Sequence, residues 1–155
     1  MLRGFQVSVS GIVLAGLTLA WAGVASAQGP AKDPAKDPAK PVLTLEGEAA
    51  IVILLIKGDK TADFEAVIAK YREAFAKSDN PKRKEQIAGM TFLKSPTPMS
   101  GNTAYIFRVD PVVKGEEYDI TRVIYEVFPS EATDMFNMYK DAFAGRQIIP
   151  LNKLP

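Results

Sequence analysis

The chain has 155 residues and a formal charge of +1, which fits one domain with a tail and gives no general attraction to nucleic acid or anionic membranes. It has 0 cysteines, which excludes disulfides, thiolate metal sites and thiol nucleophiles. It also has 0 histidines, which excludes a Ser-His-Asp triad, an ordinary zinc site and a histidine-ligated haem. We therefore expect no metal, no cofactor and no nucleic-acid partner.

Residues 1–27 have the pattern of a secretory signal peptide. Arg3 supplies a positive charge, residues 11–24 are apolar, and residues 25–27 (Ala-Ser-Ala) fit the small-residue cleavage site. We predict cleavage before Gln28, a secreted or periplasmic mature protein, and no membrane span after cleavage. The alternative is a membrane anchor that stays attached.

Residues 28–41 are predicted to form a disordered linker. A Pro-Ala-Lys-Asp repeat begins at Pro30, and its last copy is broken by Pro41. Proline at this spacing prevents a helix, and the repeat offers no large apolar side chain for a core. The alternative function is a tether that holds the following domain, residues 42–155, away from a surface or a partner.

The first part of the domain is organised around residues 50–56, a run that is apolar and rich in β-branched side chains and ends at Lys57. Such a run predicts a buried strand. Before it, residues 42–46 predict a short edge strand, and Gly47 marks a turn.

A helix is predicted from Ala62 to Lys77, with Asp59 or Thr61 as its cap. Its apolar stripe at helical spacing is Phe64, Val67, Ile68, Tyr71 and Phe75. Pro81 is expected to open one further short turn. The basic cluster of residues 82–84 is interpreted as a solvated face, because it lacks interleaved aromatic residues.

Strands are predicted at Met90–Lys94 and Thr103–Val109, and the turn residues between them indicate an antiparallel hairpin. Asp119 then caps a helix that Pro129 ends. Ser130 is expected to cap the last long helix, and Gly145 to close it. The face we expect this helix to bury is Ala132, Met135, Phe136, Tyr139, Ala142 and Phe143. A last short strand is predicted at residues 147–149.

This order predicts an α+β fold with a ferredoxin-like βαββαβ antiparallel sheet, helices on one face, and an extra helix before the last long helix. The first strand is apolar on both sides, with Ile51, Ile53 and Leu55 opposing Val52, Leu54 and Ile56. Leaving three aliphatic side chains in water forgoes about 1.5–3 kcal/mol each. We therefore predict a homodimer whose sheets face each other.

Three stretches resemble an uncharacterised group of exported bacterial proteins: residues 58–64 (GDKTADF), 110–113 (DPVV) and 125–129 (YEVFP). The predicted plan also resembles the dimeric α+β barrel superfamily. That superfamily includes cofactor-free monooxygenases, haem-linked enzymes and small regulatory or ligand-binding modules. The resemblance implies no particular activity, and no catalytic motif of those enzymes is matched.

The candidate ligand pocket consists of Tyr105, Arg108, Arg122 and Tyr125, and no catalytic residue is assigned. Arg108 in an apolar strand would anchor a ligand carboxylate or phosphate. The interpretation we favour for Arg108 is structural, as an ion pair across the dimer contact or a side chain that extends to solvent. Tyr105 would offer its phenol to a ligand or simply pack. Arg122 and Tyr125 would guard the pocket or form an exposed helix face.

Three functions remain open from the sequence. The first is an exported non-catalytic homodimer that binds a small apolar or amphipathic ligand, or another protein. The alternative is a cofactor-independent monooxygenase-like enzyme, which would need a sizeable wet cavity reached by Arg108 or Tyr105. The third is an inhibitor or chaperone-like module. We favour the first and so expect no enzymatic activity.

Overall fold

A computed structural model describes residues 40–155, so the predicted signal peptide and residues 28–39 of the predicted linker lie outside the described residues. The elements, in chain order, are β1 (Ala49–Ile56), α1 (Thr61–Lys77), α2 (Pro81–Ala88), β2 (Met90–Lys94), β3 (Thr103–Val109), α3 (Ile120–Val127), α4 (Ala132–Ala142) and β4 (Phe143–Leu151). The predicted α+β class, and α3 as a helix before the last long one, are confirmed.

The four strands form one sheet in the order β2-β3-β1-β4, and every neighbouring pair is antiparallel. The strands β1 and β3 are therefore central. Their register pairs Val52 with Phe107 and Leu54 with Tyr105. The predicted hairpin of β2 and β3 is confirmed.

One face of the sheet, here called the covered face, packs against the helices. In β1 it consists of Ala50, Val52, Leu54 and Ile56, all buried in the core. The opposite face, here called the open face, carries the side chains that alternate with these. Its strand residues are Ala49, Ile51, Ile53, Leu55, Thr91, Leu93, Ala104, Ile106, Arg108, Gly145, Gln147, Ile149 and Leu151. Within residues 40–155, none of its isoleucines or leucines joins the core.

The helix α1 buries the predicted stripe against the covered face. Phe64, Tyr71 and Phe75 are fully buried, and the Phe64 ring meets the Tyr105 ring at 4.7 Å between centroids. The predicted side-chain cap is wrong. A 3-10 turn at Gly58–Lys60 leads directly into the helix, so neither Asp59 nor Thr61 caps it.

The predictions for the helices α3 and α4 are partly confirmed. Asp119 caps α3 by accepting from the main-chain N–H groups of Thr121 and Arg122. Ser130 does not cap α4, because the helix begins one residue later than that role requires and follows Glu131. Phe136 is 47% exposed rather than buried, because it lies at one edge of the helix face whose centre is near Met135, Tyr139 and Ala142.

The end of the chain also differs from the prediction. Phe143 is extended and begins β4, so the last strand has nine residues instead of three. Gly145 lies inside this strand, opposite Leu55, and does not close α4. Pairing along the whole of β1 holds β4 in place despite the glycine and the proline within it.

The predicted edge strand at residues 42–46 is wrong as well. Residues 42–46, here called the strap, lie outside the sheet without regular secondary structure, and Leu45 among them is buried to 2% exposure in the core. The turn after the strap is confirmed. Gly47 has a φ of +83°, and a Cβ there would lie 2.6 Å from the carbonyl oxygen of Leu151.

Candidate functional site

The open face is a broad aliphatic surface with one charged strand residue. Arg108 is exposed on it and lies opposite Ile51 on one side and Thr91 on the other. Among the strand residues of the described sheet that face this way, Arg108 alone is charged. A single cation amid aliphatic side chains suits an amphipathic contact.

Tyr105 lies on the covered face, so the sheet separates it from Arg108. Its hydroxyl donates to Glu65 Oε1 at 2.6 Å, and Lys94 Nζ donates to the same oxygen at 2.8 Å. Burial raises the pKa of Tyr105, and the bond to Glu65 raises it further. Tyr105 is therefore held as a protonated packing residue with its donor in use.

Arg122 and Tyr125 both lie on α3, whose buried side joins the core beneath the covered face. Tyr125 is exposed, and Arg122 is half-buried next to the helix cap. The sheet therefore lies between Arg108 and the other three predicted pocket residues. The structure does not gather the four into one pocket of the described chain.

The sequence interpretation missed a buried cation. Arg83, assigned to a solvated basic face, is only 5% exposed. Its guanidinium donates to Glu126 Oε2 from Nε at 3.1 Å and from Nη2 at 2.8 Å. Its Nη1 donates to Gln86 Oε1 at 2.6 Å. Ser78 Oγ donates to the other oxygen of Glu126 at 2.7 Å.

This cluster fastens α2 to α3. Burial would raise the pKa of Glu126, but the hydrogen bonds from Arg83 and Ser78 outweigh it and lower that pKa below its ordinary value. Every side-chain oxygen and nitrogen that is fully buried in the described part of the chain has a partner, so we assign the cluster a structural role. The signal available in the sequence was the spacing of Arg83, Gln86 and Ile87 on one face of a helix.

A crevice lies between the covered face and the strap. Its apolar walls are Leu43, Leu45, Val52, Leu54, Tyr71, Met90, Phe107, Val109, Tyr118 and Ile120, and its polar groups are Asp119, Tyr139 and Arg146. The cavity within it measures about 20 Å³, room for about one water molecule. Neither Tyr105 nor Arg108 lines it.

Hydrogen bonds to the side chain of Glu117, and one from the main chain of Tyr118, hold the strap over this crevice. The carboxylate of Glu117 accepts from the main-chain N–H of Val42 at 2.6 Å and of Leu43 at 2.9 Å. The N–H of Tyr118 donates back to the carbonyl of Leu43 at 2.8 Å. The strap is thus attached at the Glu117–Tyr118 segment and not to any strand.

Residues 40–155 contain neither a membrane-spanning helix nor an acidic metal site. No helix in that range is both long and apolar enough to cross a membrane. No group of three or more acidic residues in that range is placed to hold a metal ion. Comparison of the chain with protein-family models, curated proteins and solved structures gave no match.

Proposed function

We propose that the chain is an exported, non-catalytic binding module that works as a homodimer, with the open faces of two copies packed together. The observation that carries the proposal is the aliphatic character of the open face. Each large aliphatic side chain transferred from water contributes about 1.5–3 kcal/mol. Part of this contribution remains to be gained at Leu93, which is 50% exposed, and at the half-buried Ile51, Ile53, Leu55, Ile106 and Ile149.

The fold class proposed for this module is the ferredoxin-like plan of the dimeric α+β barrels. Three features of the structure support it. The strands β1 and β3 are central, all neighbours are antiparallel, and helices connect β1 to β2 and β3 to β4. Each connection contains two helices, so α2 and α3 are additions to the simplest form of that plan. The resemblance to exported bacterial proteins and the signal-peptide pattern support a secreted or periplasmic location.

The proposed ligand is small and apolar or amphipathic, held between the two facing sheets. Arg108 would place its guanidinium at the edge of that space and anchor a carboxylate or phosphate. In the competing interpretation, Arg108 makes an ion pair across the dimer contact. Replacing Arg108 with Leu separates the two: loss of a co-purifying ligand with the dimer intact supports the anchor, and loss of the dimer supports the ion pair.

The oxygenase hypothesis finds less support. It requires a wet cavity reached by Tyr105 or Arg108. The Tyr105 hydroxyl already donates to Glu65, and Arg108 lies on the opposite side of the sheet from the crevice. No observation in the described chain favours this enzyme over the binding module.

Sedimentation and native mass spectrometry test the dimer. The chain should sediment as a dimer at micromolar concentration, and Leu93→Asp should convert it to a folded monomer. Leu93 is 50% exposed on the edge strand β2, so a charge there is compatible with folding of one copy. The matched control is Leu154→Asp in the exposed C-terminal tail, which should remain dimeric. A chain that is monomeric before any substitution refutes the proposal.

A further inference from the structure

The crevice under the strap contains two polar side chains with no partner of their own. Tyr139 is packed by its ring against Phe143, at 5.5 Å between centroids, and near Phe64. Within the described chain, its hydroxyl makes no hydrogen bond and the guanidinium of Arg146 makes no hydrogen bond or ion pair. Both groups line the same crevice, whose remaining walls are almost entirely apolar.

The two groups have complementary chemistry for an anion. Burial raises the pKa of Tyr139, as does nearby Asp119, and despite the opposing effect of Arg146 it reaches about 12. The phenol therefore stays protonated and able to donate at neutral pH. Arg146 adds a permanent positive charge with several N–H donors.

We propose that this crevice binds a medium-chain alkyl carboxylate, with its head on Arg146 and Tyr139 and its chain in the space that the strap leucines now fill. The cavity of about 20 Å³ is too small for such a ligand while the strap is closed. Leu43 and Leu45 together present about eight side-chain carbons, so an alkyl chain of that length would replace their apolar contacts. The cost is loss of the hydrogen bonds that hold the strap. The strap acts as an internal competitor.

Asp119 is the one group in the crevice that opposes an anion. Its Oδ1 accepts from the N–H groups of Thr121 and Arg122 and from the Thr121 hydroxyl at 2.6 Å. These donors at the start of α3 compensate the charge of the carboxylate. Arg146 supplies the opposite charge in the same crevice, and the proposed anion head would lie on its side rather than on the Asp119 side.

The site lies on the opposite side of the sheet from the dimer contact. This inference shares with the function proposed above only the class of ligand and does not depend on self-association. Failure of octanoate to bind would therefore not refute the dimer, and a monomeric chain would not refute octanoate binding in the crevice.

The experiment is titration of the full-length chain with sodium octanoate, followed by calorimetry and by methyl NMR of the leucines and isoleucines. We expect shifts centred on Leu43 and Leu45. Arg146→Gln should weaken binding about 10-fold or more, as for the loss of a hydrogen bond to a charged group. Lys84→Gln, the control at an exposed cation of α2 that does not line the crevice, should leave the affinity unchanged.

Two further measurements make the test specific. Glu117→Gln weakens the attachment of the strap, so it should tighten octanoate binding several-fold, opposite in direction to Arg146→Gln. Octanol, with the same chain but no charge, should bind about 10-fold more weakly than octanoate. Equal binding of octanol, an unchanged affinity in Arg146→Gln, or shifts confined to the open-face isoleucines would each overturn the proposal.

Discussion

The two faces of β1 are built from the same kind of side chain but have different surroundings. Val52 and Leu54 point to the covered face and are buried, Leu54 to 1% exposure, whereas Ile51 and Ile53 point to the open face and stay half-exposed. The difference is not in hydrophobicity but in what the chain itself supplies as cover. An apolar strand face therefore predicts that the face is buried, but it does not predict whether the same chain or another chain covers it.

The largest expected effect contrasts neighbouring residues of β1. Leu54→Ala should lower the free energy of unfolding of one chain by about 2–5 kcal/mol, because it leaves a cavity in the core. Ile53→Ala should lower it by only about 1 kcal/mol in dilute, monomeric protein. Urea unfolding at several protein concentrations measures both. Equal losses at high dilution would mean that the open face is covered within one chain.

The second prediction concerns the helices that cover the sheet. Arg83→Met should destabilise the chain by about 1–3 kcal/mol, because it removes the donors to Glu126 Oε2 and to the side-chain oxygen of Gln86. The control is its neighbour Lys82→Met, whose pair with Glu85 is solvent-exposed, so its loss should leave stability almost unchanged. Chemical denaturation of the two variants and the natural chain compares the two losses in the free energy of unfolding. Similar losses would show that the α2–α3 attachment contributes little.

The third prediction compares Asp119 and Ser130, the two residues that the sequence suggested as caps of α3 and α4. Asp119→Ala should cost about 1 kcal/mol, since it removes the acceptor for the first N–H groups of α3. Ser130→Ala should have almost no effect, because Ser130 caps nothing. Thermal or urea unfolding would detect the difference. A cost for Ser130→Ala as large as that for Asp119→Ala would contradict the cap assignment.

The smallest expected effect is on pH dependence. The pKa of Glu126 is lower in the folded chain than its ordinary value, so its contribution to stability is fully present above about pH 4.3 and is lost as the pH falls through the folded value. The stability difference between the natural chain and Glu126→Gln should therefore shrink on acidification below about pH 4.3. Denaturant unfolding across that range measures it. A difference that grows on acidification would reverse the assigned sign.

Elements with a strong local pattern could be predicted from the sequence. The apolar run of β1, the stripe of α1 and the Asp119 cap of α3 each carry their own signal. The pattern of β4 is weak, because Gly145 and Pro150 interrupt it and its length comes from pairing with β1. The extent of such a strand depends on pairing with a segment distant in the chain, and the local periodicity of the sequence does not reveal that pairing.

The candidate site was harder to predict for the same reason. The alternation along β3 already assigns Tyr105 and Arg108 to opposite faces, and the register agrees. Arg83 stands in a basic run that suggests solvent, and only the arrival of Glu126 from α3 explains its burial. Arg146 and the strap meet through tertiary packing alone, so no spacing in the sequence joins them.

The attachment of the strap has a mechanical consequence. Tension applied from the N-terminal side reaches the folded domain first at Val42 and Leu43, whose N–H groups both bond to the carboxylate of Glu117. Glu117 and Tyr118 precede α3 and do not belong to the sheet, so a pulling force would load their hydrogen bonds to the strap before it strained any strand. The strap should therefore detach at a lower force than the strands, and stretching would expose Leu45 while the sheet remained intact.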